Sequence, residues 1–243
     1  MIHRLKAEFR KLATVRSTYG IIIFGLVLTG LFGFWADGYR VSGTEQHNPA
    51  HFSSEIVNAA QVLSLVFSLI TVLLVTHEYR YNTILYTLAS AKSRTQIFLA
   101  KFLASSIAAT VLMAIFIVLA PAASALGASM AGHPLVHQDM PSWNLIGRAL
   151  FVGWVYSGFA FVISMLVRVQ VAAFAIMFLL PGTIEQLLGL LLKDNQVYLP
   201  FSSLNAVLSG NDISHTTAMI TALIWLVGLG ALANVLFLKR DAN

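Results

Sequence analysis

The chain contains no cysteine and devotes only 10% of its 243 residues to Asp, Glu, Lys and Arg. The first absence excludes disulfides, thiol chemistry and cysteine-ligated metal sites. The second excludes a soluble globular domain, whose surface takes about a quarter charged residues. Acidic residues are scarcer than basic ones, ten against fifteen, which leaves a net charge of +5. That balance is compatible with a nucleic-acid binder, but the basic residues stand at the ends of hydrophobic runs instead of forming one dense patch. We read the charge as topology, with no nucleic-acid partner. No A-x-A-like cleavage site follows the first hydrophobic run within Gly33–Asp37, and that run is about twice the length of a signal-peptide core, so it is expected to stay in the mature protein.

What the chain has is hydrophobic length: 58% of it is hydrophobic and its mean hydropathy is +0.79. An apolar helix needs about 20 residues to cross the hydrocarbon layer. Six segments meet that requirement, at about 19–36, 56–76, 97–120, 146–167, 171–192 and 216–238. The expected fold is therefore an all-α polytopic membrane protein with six transmembrane helices. Lys and Arg in alternate loops set the orientation. Arg4, Lys6, Arg10, Lys11, Arg16, Arg80, Lys92, Arg94, Lys101, Arg168, Lys239 and Arg240 fall on one side, twelve in all, against three on the other, Arg40, Arg148 and Lys193. This predicts a multi-pass protein of the cell membrane with both termini cytoplasmic. Within residues 1–18, Ile2, Leu5, Phe9, Leu12 and Val15 recur at spacings of three and four among arginines and lysines, the pattern of an amphipathic helix lying along the cytoplasmic interface.

The chain reads as one transmembrane domain over 1–243, without internal repeats. Its fifth span is interrupted by Pro181-Gly182, carries Glu185, and leads into an outer loop, so that 181–215 forms an irregular outer region. Proline removes a backbone donor, and an intramembrane break persists only where protein or water satisfies the freed groups. Residues 183–192 are then either the end of the crossing or a re-entrant or outward-facing helix. Glu185, costly inside a bilayer, is read either as lining a path together with Pro181 and Gly182 or as a helix N-terminal charge. Pro121 is expected to end or kink the third span, beside a small-residue face at Ala120, Ser124 and Ala128.

The polar residues form no catalytic set. His77-Glu78-x-x-Tyr81 misses the H-E-x-x-H zinc signature by its second histidine, and neutral tyrosine is a poor zinc ligand. Gly38-x4-Gly43-Thr44 lacks the lysine of a phosphate-binding loop. His47/His51 and His133/His137, with Asp139 nearby, have a spacing that suits a metal, but Pro49 and Pro134 break the helix that would present them. We expect no enzyme activity, metal or cofactor in the chain itself. Ser157, Ser164, Trp154 and Tyr156 are scattered polar or aromatic residues of the spans, and they select no substrate class.

The one purposeful polar segment runs from His77 to Lys101. It reads as a helix leaving the membrane, a turn at Asn82-Thr83, and a short helix carrying Ile84, Leu85 and Leu88. A capping box, Ser93-x-x-Gln96, then starts the third span. Charges flanking a small apolar knob suit docking onto a soluble partner. Glu78, Asn82-Thr83-Ile84, Leu85, Leu88, Ser93-Arg94 and Lys101 resemble the permease subunits of ABC-2-type exporters, with Asn82 and Ala91 where that family commonly has glycine and proline. The resemblance implies two six-helix permease subunits, in a homodimer or a heterodimer, each seated on a separate ABC ATP-binding subunit that carries ATP and Mg. It makes residues 2–18 a connecting helix and 77–96 a cytoplasmic coupling region. Within that region it implies contact with the ATP-binding subunit from Glu78, Tyr79, Arg80, Asn82, Thr83, Ile84, Leu85, Leu88, Ser93 and Arg94. A non-transporting scaffold or sensor that recruits a cytoplasmic partner through the same loop is the alternative.

Overall fold

The computed structural model describes residues 2–39, 49–89, 93–132, 142–210 and 213–239, and these contain helix but no strand. Helix α1 spans Ile2–Thr14 and stops at Val15, whose extended backbone separates it from α2, Arg16–Leu31. The α2 rod continues as a π-helical stretch over Phe32–Tyr39. Helix α3 is Pro49–Arg80, α4 is Ile84–Ala89, α5 is Arg94–Met130 and α6 is Trp143–Val167. Helix α7, Gln170–Leu179, passes through a π-turn at Leu180–Ile184 into α8, Glu185–Leu192, and a 3-10 segment at Lys193–Tyr198. Helices α9, Pro200–Ser209, and α10, His215–Lys239, complete the order.

Six helical stretches are long and apolar enough to cross a membrane: Arg16–Trp35, Ala59–Arg80, Arg94–Met130, Trp143–Val167, Gln170–Tyr198 and His215–Lys239. The core lies between α3, α5 and α6, which carry its largest buried side chains, among them Phe67, Phe116, Tyr156, Phe159 and Phe161. Thr71 and Ser157 share a hydrogen bond of 2.7 Å inside it, between α3 and α6. Four hydroxyls, Thr29, Ser64, Thr76 and Ser164, donate to the carbonyl four residues back, the usual solution for a short polar side chain in an apolar helix.

Pro121 does not end the third span. Helix α5 runs nine residues beyond it to Met130, since proline deletes only one donor from the ladder. The expected small-residue face is buried at Ala120, Ser124 and Ala128. It receives the π-helical end of α2 so closely that a Cβ at Gly33 would lie 2.7 Å from the Ala120 carbonyl oxygen. The break at Pro181-Gly182 is likewise absorbed by a wider helical turn, and the helix continues to Leu192; Lys193 then leaves helical geometry, φ 50°, and the 3-10 segment folds back so that Gln196 lies against Gly189.

The apolar stripe of α1 is turned into the protein. Leu12 belongs to the buried core, and Leu5 and Phe9 pack against it, while Lys6 and Arg10 are exposed. Hydrophobic spacing announces that a face will be covered but not what covers it. Here α1 packs against α5 and α3.

Candidate functional site

At the end of the bundle where α1, α4 and the start of α5 surround one cavity, the sequence builds a sharp corner. Asn82 takes the left-handed conformation, φ 54°. The Thr83 amide donates to the Glu78 carbonyl at 2.9 Å and the Asn82 amide to that of Tyr79 at 3.3 Å. These two bonds are the Schellman termination of α3, and they satisfy carbonyls that the helix leaves free. Asparagine tolerates this backbone better than other non-glycine residues. Asn82→Gly is therefore expected to be silent, whereas Asn82→Val should cost about 1–2 kcal/mol, read as a lower unfolding midpoint in detergent. On the far side of α4, Ser93 is the N-cap of α5, its hydroxyl accepting from the Gln96 amide at 3.3 Å.

This corner places four charges from three helices within bonding distance. The Lys101 ammonium donates to Glu78 Oε1 at 2.7 Å and to Glu8 Oε2 at 3.0 Å. Lys11 donates to Glu8 Oε1 at 2.9 Å and also to Glu78 Oε1. Lys101 is 1% exposed and Glu8 and Glu78 are 4% each, so three of the four charges lie inside the protein while Lys11 stands at its edge; together the four are electrically neutral. Isolated, the three buried charges would be prohibitively expensive to bury; their ion pairs fasten α1 to the end of α3 and the start of α5. Burial alone would lower the pKa of Lys11, but hydrogen bonds to Glu78 and Glu8 and their negative charges outweigh it, leaving the pKa above the ordinary lysine value. Its contribution to folding is accordingly complete below that ordinary value and is lost only as pH climbs through the raised one.

The residues singled out from sequence divide into two groups. Glu78 and Ile84, the latter 2% exposed, point inward. Tyr79 is half-buried, with the Arg168 guanidinium 5.1 Å from its ring centre and its hydroxyl 3.9 Å from the Met165 sulfur. Arg80, Asn82, Thr83, Leu85, Ser93 and Arg94 are exposed. Arg80 lies over the Tyr81 ring, and Arg94 donates to the Leu238 carbonyl at 3.2 Å, tying α5 to the end of α10. Leu88 lies on α4, but its side chain is outside the described set. The expected knob thus changes composition. Ile84 is its root, Leu85 is on its surface, and Tyr86, 80% exposed, is its most prominent side chain.

At the opposite end, Pro181 is half-buried, Gly182 is exposed and Glu185 is 2% exposed. The Glu185 carboxylate accepts from the Phe201 amide at 2.9 Å, the Ser202 amide at 2.6 Å and the Ser202 hydroxyl at 2.7 Å. It caps the first turn of α9. The choice drawn from sequence, between a path residue and a charge at the start of its own helix, omitted this partner sixteen residues away. Tyr156 and Ser157 are likewise committed to packing in the core. Among the described residues no group of three His, Cys, Asp or Glu side chains could hold a metal ion. His47, His133, His137, Asp139, Gly43, Thr44, Ala91 and Lys92 lie outside those residues, as does the side chain of His51.

Residues 19–242 match the family described as "Protein of unknown function (DUF2705)", and the chain belongs to that family. No curated protein matches it.

Proposed function

We propose that this DUF2705 member is the membrane subunit of an ATP-driven exporter, forming the translocation pathway and working as a pair of permease subunits. Each copy would sit on a separate ABC ATP-binding subunit that supplies ATP and Mg, with α4 and both termini on the cytoplasmic side. One observation carries this reading. The exposed residues Leu85 and Tyr86 stand on a short helix whose root, Ile84, is buried beside a corner held by the Glu8–Lys11–Glu78–Lys101 cluster. A knob mounted this way transmits force, whereas a solvated loop would absorb it. Closure of the ATP-binding subunits would push on α4, and the cluster would pass the displacement to α1, α3 and α5 together, biasing the bundle between inward-facing and outward-facing states. The residue-level resemblance around Glu78–Lys101 supports the same assignment, as does the lack of a complete nucleotide-binding loop in the sequence.

The test is isolation of the tagged full chain with its ATP-binding partner, followed by ATPase and transport measurements in proteoliposomes. Leu85→Asp/Tyr86→Asp is expected to lower complex recovery and coupled ATPase activity by at least roughly tenfold, since a buried aromatic anchor is worth about 2 kcal/mol or more at an interface. Full coupling in that variant would overturn the mechanism. A complex that assembles but moves no substrate on ATP addition would favour the scaffold or sensor reading.

A further inference from the structure

Two adjoining cavities flank Lys11 at the corner, and they differ in chemistry. The smaller, 290 Å³, lies between α1, α4 and α5 and is lined by Arg4, Glu8, Lys11, Tyr86 and Thr87, with small apolar walls at Ile97 and Ala100. The larger, 390 Å³, shares Lys11, Tyr86 and Thr87 with the first; its apolar wall is formed by Leu12, Val15, Leu73 and Leu74, and Glu78, whose Oε2 is buried without a hydrogen-bond partner among the described residues, also lines it. Its volume is within the range of small-molecule sites.

Charge distinguishes the smaller cavity. Lys11 and Lys101 are balanced by Glu8 and Glu78, whose ion pairs account for both lysines. Arg4 is left over. Its Nη1 is buried and has no hydrogen-bond partner among the described residues. A buried guanidinium donor without a partner calls for an acceptor, and an anionic one binds it most strongly. A phosphodiester is such an anion and suits guanidinium geometry. The apolar cavity next door accommodates a hydrocarbon chain attached to it. Helix α1 itself offers the bilayer little, because Leu5, Phe9 and Leu12 are spent on the protein.

We infer that the paired cavities bind one anionic phospholipid, its phosphate held by Arg4 and Lys11 and an acyl chain lying along Leu12, Val15, Leu73 and Leu74. The site goes beyond the exporter reading and stands without it, requiring only that the bundle sit in a membrane. The bound lipid would fill the space between the connecting helix and α4, and so stiffen the corner.

The purified full chain, titrated by native mass spectrometry with phosphatidylglycerol and with phosphatidylcholine of identical acyl chains, tests it. Retention of the anionic lipid is expected to be at least roughly tenfold tighter, a difference of 1.4 kcal/mol. Arg4→Gln should remove the preference. Val15→Trp, which fills the apolar cavity without touching the charges, should reduce retention of both lipids. Arg10→Gln, on the exposed face and lining neither cavity, should leave the preference intact. Equal retention of the two lipids by the native chain would overturn the site. So would an Arg10→Gln loss as large as that of Arg4→Gln, which indicates diffuse attraction to a basic helix. Binding of glycerol 3-phosphate as tight as that of phosphatidylglycerol would also overturn it, by showing a soluble-anion site with no role for the chain.

Discussion

Lys101→Met is expected to be the most damaging single substitution in the chain, lowering stability by about 3–5 kcal/mol, because it removes one partner from a buried ion cluster. Lys101 is 1% exposed and bonded to both Glu8 and Glu78. Its loss leaves two carboxylates facing each other, with only Lys11 between them. Methionine replaces the stem at similar volume, so packing is not the cause of the damage. Adding Glu8→Gln should then recover part of the loss, since Lys11 and Glu78 remain as a balanced pair. The double variant is expected to be less damaged than the sum of the two singles, with a coupling energy of about 0.5–3 kcal/mol. Unfolding of all four proteins in identical nanodiscs provides the cycle. A Lys101→Met variant that unfolds like the native chain would refute a structural role for the cluster.

How this corner arises explains what could be read in advance. The six spans were legible because their signal is local: about 20 apolar residues in a row suffice, whatever the neighbours. The turn at Asn82 and the cap at Ser93 were legible for the same reason, each depending on residues within five positions. The cluster was not. Lys101 was visible as a basic residue at the start of a span, and Glu78 as the acidic end of another. Glu8 was overlooked, because a single acid in an arginine- and lysine-rich helix reads as a solvated residue. Its spacing of three from Lys11 was a local hint. The bond that decides its role joins residues 93 positions apart. The stripe of α1 illustrates the same limit. Period 3.6 located an apolar face, and only the tertiary structure could say that the helix bearing it packs against α3 and α5. A short helix after the turn was readable in the same way, while its most exposed side chain, Tyr86, depends on how far α4 is rotated.

Glu185→Ala is expected to cost about 3 kcal/mol, the second largest effect, and to act mainly on one local element. The carboxylate satisfies two backbone amides and a hydroxyl at the first turn of α9. Bonds to a charged acceptor are worth about 1.5–3 kcal/mol each in favourable settings, and stranding a buried donor costs about 1–3 kcal/mol. With the cap gone, the turn that carries Phe201 loosens, and with it the packing of that ring against Tyr156 and Phe159, whose centres lie 5.2 and 5.1 Å away. Glu185→Gln retains one acceptor oxygen and should lose roughly half as much. Hydrogen exchange over residues 200–209 reads the loosening directly, and, on the proposed exporter function, substrate movement in proteoliposomes reads its consequence. If Glu185 acts as a cap, protection and transport fall together, in proportion, from wild type through Gln to Ala. If it instead lines the path, Glu185→Gln abolishes transport while α9 keeps its protection. The three bonds to α9 favour the first outcome, because a carboxylate with both oxygens already accepting has little left to offer a passing substrate.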